Sequence, residues 1–305
     1  MFEGRFSPNR IAIRESMFGW LLAIASLLIT SLFFSNGWSQ EAMPQSQLEK
    51  AKHATWMASQ PTGLLIPLYV YPANIHTNAE FNRVMELKRT FHSIPFWIIV
   101  NPDSGPGTAS DANYTKAIDR LVGAGCTVIG YVSTDYARRT QSQVVQQIKQ
   151  WKALYPRVQG IFFDEMVYED NLKSSEYQSQ LNVASQKLGF WPTVANPGTD
   201  PPERFFKSPA ADVIVIHEGD QWPTEAKLHG DYFGGYSDYP RHTRSILVYG
   251  QSKLDAEQVR LAAKYTGLIY VTNDRYTPKD PQEPNPWDSV PDYLNELCEL
   301  LSSMK

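Results

Sequence analysis

From residue 64 onward the chain alternates short, unbroken apolar runs with longer stretches of mixed polarity. The apolar runs fall at 64–70, 96–100, 127–132, 160–163, 190–194, 213–216, 246–249 and 268–271, and are rich in β-branched and aromatic residues. Runs this short without polar alternation fit strands covered on both faces, as in a parallel sheet. Between them the period changes to a helical one. Residues 111–124 open on Ser110 or Asp111 as a cap and end in glycine; 141–154 place Val144, Val145, Ile148 and Trp151 on one face and stop before Pro156. Residues 171–188 end at Gly189, 255–265 end near Gly267, and 290–301 set Val290, Leu294, Leu297 and Leu301 at helical spacing. Strands alternating with helices predict an α/β fold. Eight such repeats favour a closed (β/α)8 TIM-type barrel, one domain over 61–305, above an open sheet. Two features fit less well. Pro67 falls inside the first run, where a central strand would need its missing N–H, and 219–244 holds only a weak helix at 225–229.

The N-terminal pattern is different in kind. Residues 17–34 form 18 uncharged, mostly apolar positions behind Arg5, Arg10 and Arg14. A basic segment followed by an apolar run reads as a secretory signal within residues 1–40, with Gly37 and Ser39 as small residues for cleavage. The same run reaches the lower length for a membrane span, so the alternative is a retained anchor through 17–34. Either way the barrel is expected to be extracytoplasmic, behind a polar linker at 41–60.

Composition narrows the partners. The 305 residues carry 28 Lys+Arg against 32 Asp+Glu, a formal charge of −4. That balance argues against nucleic acid as a partner, because phosphate binding needs clustered cations. Two cysteines, Cys126 and Cys298, are too few for a disulfide scaffold or a cysteine-ligated zinc. Their places at opposite parts of the ring predict two buried thiols. The six histidines form no His-x-His or His-Glu-x-x-His pair, and neither a Gly-x-Ser-x-Gly elbow nor a Walker loop is present. No metal or cofactor is expected, and the protein is expected to be a monomer.

Barrel enzymes place their chemistry at the C-terminal ends of the strands. Those positions hold Tyr69 and Tyr71; Asn101; Tyr131, Asp135, Tyr136 and Arg138; Asp164 and Glu165; Asn196; His217 and Glu218; Tyr249; and Asn273. Carboxylates and amides bind hydroxyls, and aromatic rings cover the apolar face of a pyranose, so the set suits a sugar. Glycoside hydrolysis commonly uses two carboxyl groups. Asp164, Glu165 and Glu218 are the candidates, each following buried apolar residues that would raise an acid's pKa. Plainer roles compete. Asp164 fits a helix cap as well as an acid, whereas glutamate is a poor cap. His217 reads first as a hydrogen-bonded wall residue, and Asp135 and Asp274 as loop-ordering groups. Asn101 and Asn196 precede prolines and fit turns, and Trp222, Tyr136 and Tyr168 fit sugar platforms or ordinary packing.

At these residues the chain resembles the spherulin-4 (spherulation-specific family 4) proteins. The similar segments are Ile66-Pro67-Leu68-Tyr69-Val70-Tyr71-Pro72, Val100-Asn101-Pro102-Asp103-Ser104-Gly105-Pro106-Gly107, Val128-Ile129-Gly130-Tyr131-Val132-Ser133-Thr134-Asp135-Tyr136, Gly160-Ile161-Phe162-Phe163-Asp164-Glu165, Ala195-Asn196-Pro197-Gly198 and His217-Glu218. The resemblance implies a (β/α)8 glycoside hydrolase related to enzymes that cut α-1,4-linked N-acetylgalactosamine or galactosamine in microbial exopolysaccharide. It implies an acidic pair at Asp164 and Glu165 and a further glutamate at Glu218. The stretch 219–244, with Trp222, Tyr232, Phe233, Tyr236 and Tyr239, departs from the family pattern. A non-catalytic carbohydrate-binding or envelope protein on the same barrel is the rival from another class, since fold alone does not fix function. An α-galactosidase-like barrel is the rival enzyme.

Overall fold

In the computed structural model, which describes residues 45–230, 238–277, 279 and 285–304, the eight apolar runs become eight parallel strands. They are β1 (Gly63–Pro67), β2 (Phe96–Val100), β3 (Thr127–Ser133), β4 (Gly160–Asp164), β5 (Thr193–Ala195), β6 (Val213–Gly219), β7 (Arg244–Val248) and β8 (Leu268–Val271). Neighbours in the sheet follow chain order, and β1 closes on β8 through Gly63↔Leu268 and Leu64↔Ile269. Every residue of β1, β2, β7 and β8 is buried, as a sheet packed on both faces requires.

The helices among the described residues are α1 (Gln45–Ser59), α2 (Ala79–Thr90), α3 (Ala112–Gly123), α4 (Gln141–Leu154), α5 (Leu172–Lys187), α6 (Arg204–Lys207), α7 (Glu225–His229), α8 (Ala256–Tyr265) and α9 (Leu294–Ser303). Most start where a short polar side chain satisfies the open N–H groups of the first turn. Asn78, Asp111, Thr140, Asn171, Thr224 and Asp255 each accept from a backbone N–H two or three residues on. Thr140 and Gln143 complete a reciprocal capping box.

Proline explains most departures from the expected boundaries. The first run predicts a strand through 70, but β1 ends at Pro67, with one further ladder bond to β2 from Leu68 N–H to Ile99 O at 3.0 Å, so the proline does not interrupt the strand. The run expected at 190–194 begins pairing only at Thr193, after Trp191-Pro192. The last helix starts at Leu294, behind Pro291, not at 290. Strand β7 begins earlier than expected, at Arg244. The polar stretch read as a linker is helical over Gln45–Ser59, and α2 lies outside the expected set. The weak helix expected at 225–229 is α7. Residues 17–34 and Tyr232, Phe233 and Tyr236 lie outside the described residues. Among the described residues no helix is long and apolar enough to cross a membrane. Cys126 and Cys298 are free and buried, and burial pushes both thiols up to about 12.

One close contact bears on the site. Gly130 in β3 faces the indole of Trp151 in α4, and a Cβ there would lie 2.5 Å from Trp151 Cε2. Trp151 is fully buried and its Nε1 donates to the carbonyl of Tyr131 at 2.9 Å. Helix and strand thus meet closely where β3 delivers Tyr131. Gly130→Ala is expected to lower unfolding stability by about 1–3 kcal/mol, the usual effect of overpacking a filled interior. Urea denaturation checks this, and an unchanged midpoint would mean that Trp151 can give way.

Candidate active site

The strand ends of β3 to β6 bring Asp164, Asn196 and Glu218 together. Asn196 follows β5 directly, and its backbone is held by the ends of β4: its N–H donates to Phe163 O and its carbonyl accepts from Met166 N, both at 2.8 Å. Its side-chain oxygen accepts from Gly198 N–H at 3.0 Å, which turns the amide nitrogen toward the carboxylates. That nitrogen donates to Asp164 Oδ1 at 3.0 Å and to Glu218 Oε2 at 2.7 Å. Two oxygens sharing one donor at these lengths lie within about 6 Å of each other. Asp164 is therefore not a helix cap. The cap of the following helix is Asn171.

The two carboxyl groups are held differently. Burial raises the pKa of Asp164, but the Tyr131 hydroxyl, the Glu165 N–H and the Asn196 amide all donate to it and work against the rise. Burial, and then the charge of Asp164, push Glu218 up to about 7, against hydrogen bonds from Asn196 and Trp287. Burial thus raises both carboxyls; three donors oppose the rise at Asp164, while at Glu218 the charge of Asp164 adds to it.

Aromatic residues enclose the pair. Tyr131 and Tyr69 meet edge to face with centroids 6.0 Å apart, and burial raises both phenols, ahead of the charge of Asp164. Trp287 was not among the candidates. It comes from the connection after β8, its carbonyl accepts from Tyr69 N–H at 2.9 Å, and its ring packs on Tyr249 and Tyr270 at 5.9 and 6.0 Å. The sequence signal that could have found it is Asn285-Pro286-Trp287: a buried tryptophan behind a turn in a long connection at the catalytic end.

Glu165 shares the strand end with Asp164, but its carboxylate has a different partner. It takes a left-handed backbone, φ 54°, and its carboxylate accepts a short hydrogen bond from the Ser133 hydroxyl. Its carbonyl accepts from Tyr136 N–H at 2.8 Å and from Thr134 Oγ1 at 2.7 Å. Asp135, Tyr136 and Ala137 are left-handed as well, with φ of 49°, 50° and 64°. Each such non-glycine residue costs on the order of 1 kcal/mol.

Several of the expected substrate contacts are also engaged by neighbouring protein groups. Tyr71 donates its hydroxyl to Asp111 and accepts from Asn113, both at 3.0 Å, over the start of α3. Asn101 accepts from Gly105 N–H and orders its own loop. Asn273 spends both ends of its amide on Asp292. His217 points to the opposite side of β6 from Glu218, with Nε2 2.7 Å from Gln221 O and Nδ1 3.1 Å from Lys227 Nζ. Burial, then Lys227, lowers it to about 4, so it is a neutral wall residue. Trp222 packs half-buried against the hydrophobic core, and Asp274 orders its loop by accepting from Arg275 N–H and Ser289. Asp135 pairs with Arg138, Nε to Oδ1 at 2.9 Å, and Tyr239 lies on Phe206 with its hydroxyl on Glu203. The candidates drawn together are Tyr69, Tyr131, Asp164, Asn196, Glu218 and Tyr249, with Glu165 and Tyr136 beside them.

Comparison with known proteins agrees with the extent of this barrel. The family model for spherulation-specific family 4 matches residues 63–301, from the start of β1 into α9. Spherulin-4 of Physarum polycephalum is 34% identical over 213 residues, which are 70% of this chain and 55% of that protein. The chain thus spans about half the length of that relative. Among solved structures, Sph3 of Aspergillus clavatus, crystallised in complex with GalNAc, superposes with a TM-score of 0.64 at 23% identity. That match covers 81% of this chain and 100% of the other, and at this identity it speaks to the fold.

Proposed function

We propose that this chain, which belongs to spherulation-specific family 4, is an exported endo-glycosidase that hydrolyses an α-1,4-linked polymer of N-acetylgalactosamine or galactosamine. The observation that carries the reading is the Asn196 amide shared by Asp164 and Glu218. One amide nitrogen bound to an oxygen of each carboxyl keeps the pair close, which is compatible with the roughly 5–5.5 Å spacing of acid and nucleophile in retaining glycosidases, and the reading adopts that mechanism. Glu218, raised to about 7, gives its proton to the glycosidic oxygen as the C1–O bond breaks. Asp164, held by three donors, attacks C1 and forms a glycosyl ester. Water then cleaves that ester, with Glu218 taking the water's proton, so that both carboxyls return to their starting states. Glu165, engaged by Ser133, is assigned to holding the sugar. The choice of sugar draws support from the GalNAc in the Sph3 complex, and export from the Arg-led apolar run at 17–34.

The test is digestion of α-1,4-linked GalNAc polymer by the purified protein, with products sized and their anomers followed by NMR. Release of internal fragments with retained α configuration is expected. Binding of the polymer without any bond cleavage would make the protein a carbohydrate-binding module instead.

A further inference from the structure

Two tyrosines beside the carboxylates stay open to solvent, although the backbone of one of them, Tyr136, is held by a bond from its N–H to Glu165 O. Tyr136 is 41% exposed and Tyr168 42%. Their ring centroids are 6.2 Å apart with planes at 86°, so together they form an open right-angled corner. Tyr136 occupies the middle of the three consecutive left-handed residues 135–137, positions where glycine or asparagine would sit without strain. The turn is tied down by the bond from Tyr136 N–H to Glu165 O, the residue next to Asp164. The Arg138 guanidinium, anchored on Asp135, lies 5.9 Å from the centre of the Tyr136 ring. Core packing does not account for a strained backbone that presents an exposed ring. A strained residue at such a place points to use.

We propose that Tyr136 and Tyr168 form a second sugar subsite, outside the carboxylate pair, that takes a further hexosamine unit of the same polymer. This rests on the glycosidase reading above, and adds where the chain is gripped beyond the scissile bond. A flat ring offers the C–H face of a pyranose a large contact at little loss of side-chain freedom, and the second ring at right angles limits how the sugar can sit. The charges next to the corner are the paired Arg138 and Asp135 and, on the cup side, Glu165 and Asp164, a negative balance that disfavours a phosphate or another anion. Binding drawn from a remote unit rewards longer substrates.

The experiment measures kcat/KM of the full-length protein on α-1,4-GalNAc oligomers of increasing length, alongside thermal melting. For Tyr136→Gly and for Tyr168→Ala, the ratio of long-oligomer to short-oligomer kcat/KM is expected to fall about tenfold. Tyr136→Gly should melt at the same or a higher temperature, because glycine relieves the left-handed strain. Tyr136→Phe should keep the length dependence. Titration of a long oligomer into a Glu218→Gln background should show the dissociation constant rising about tenfold for the same two changes. That binding arm separates the two readings: if the wild type cleaves nothing but binding still weakens, the subsite stands and the glycosidase reading falls. Equal losses on all lengths, unchanged binding, or a melting temperature of Tyr136→Gly that drops together with binding would overturn the subsite and make the rings packing residues.

Discussion

Glu218→Gln is expected to cut turnover on the polymer by at least about 10²-fold, the range typical of a positioned general acid. Glutamine keeps the volume and can still accept from Asn196 and Trp287, so binding should survive. The pH profile gives the sharper reading. In the proposed mechanism Glu218 acts as the acid only while protonated, and burial with the charge of Asp164 pushes its pKa up to about 7. Wild-type kcat/KM should therefore fall as pH rises through about 7, and the residual activity of the variant should lack that limb. Substrates with a leaving group that departs without a proton, such as an activated aryl glycoside, should lose less. A variant that retains both full turnover and the alkaline limb would remove Glu218 from proton transfer. The prediction depends on burial and on the neighbouring charge of Asp164 acting in the same direction, so it also tests the shared site.

The barrel was legible in the sequence because parallel strands buried on both faces leave uninterrupted apolar runs, and each of the eight runs became a strand. Boundaries were less legible where the run and the hydrogen-bonded ladder part company. Leu68 is buried and keeps one bond to β2, from its N–H to Ile99 O, whereas Tyr69 N–H turns to Trp287 O, so the apolar run through 70 outlasts the ladder. Phe190 is buried for packing, ahead of a proline that cannot donate to a neighbour. Helix α2 is illegible in the sequence for the opposite reason. Its buried face, Phe81, Val84, Met85 and Leu87, includes Lys88, whose ammonium is satisfied by the carbonyls of His92 and Ile94 at 2.8 and 2.7 Å. A buried lysine hides the stripe from any reading based on hydropathy.

Within the site, position along a strand told more than residue type. Asp164 and Glu218 close apolar strands, and the barrel brings such ends together. Asn196 read as an ordinary Asn-Pro turn, and only the fold reveals that its amide lies between two carboxyls. His217 and Glu218 are adjacent in sequence, but side chains of neighbouring strand residues point to opposite faces, so the histidine contacts α7 and the glutamate the cup. Trp287 comes from a connection with no periodicity to read. Its role follows from tertiary contacts with Glu218 and Tyr249.

Asp164→Asn is expected to be the most damaging single change, lowering turnover by roughly 10³-fold or more, because in the proposed mechanism it removes the nucleophile and not just a proton donor. Unlike Glu218→Gln, it should be as severe on activated aryl glycosides as on the polymer, since no leaving group substitutes for the missing bond to C1. The exchange has a second consequence that a purely structural defect would not produce. The charge of Asp164 is one of the causes holding the pKa of Glu218 up, so the neutral amide should let that pKa fall, and the alkaline limb of the residual activity should move to lower pH. Removing the side chain as Asp164→Ala and adding azide should restore turnover on the activated substrate and yield a glycosyl azide of inverted configuration, as the small anion attacks C1 from the side the carboxylate occupied. Mass spectrometry of the wild type trapped with a slow substrate should place one sugar unit on the peptide containing Asp164. A label on Glu165 instead would reassign the nucleophile to the neighbouring residue. Activity of Asp164→Asn within tenfold of wild type would remove Asp164 from bond breaking, and leave the Asn196-bridged pair as an element that only shapes the cup.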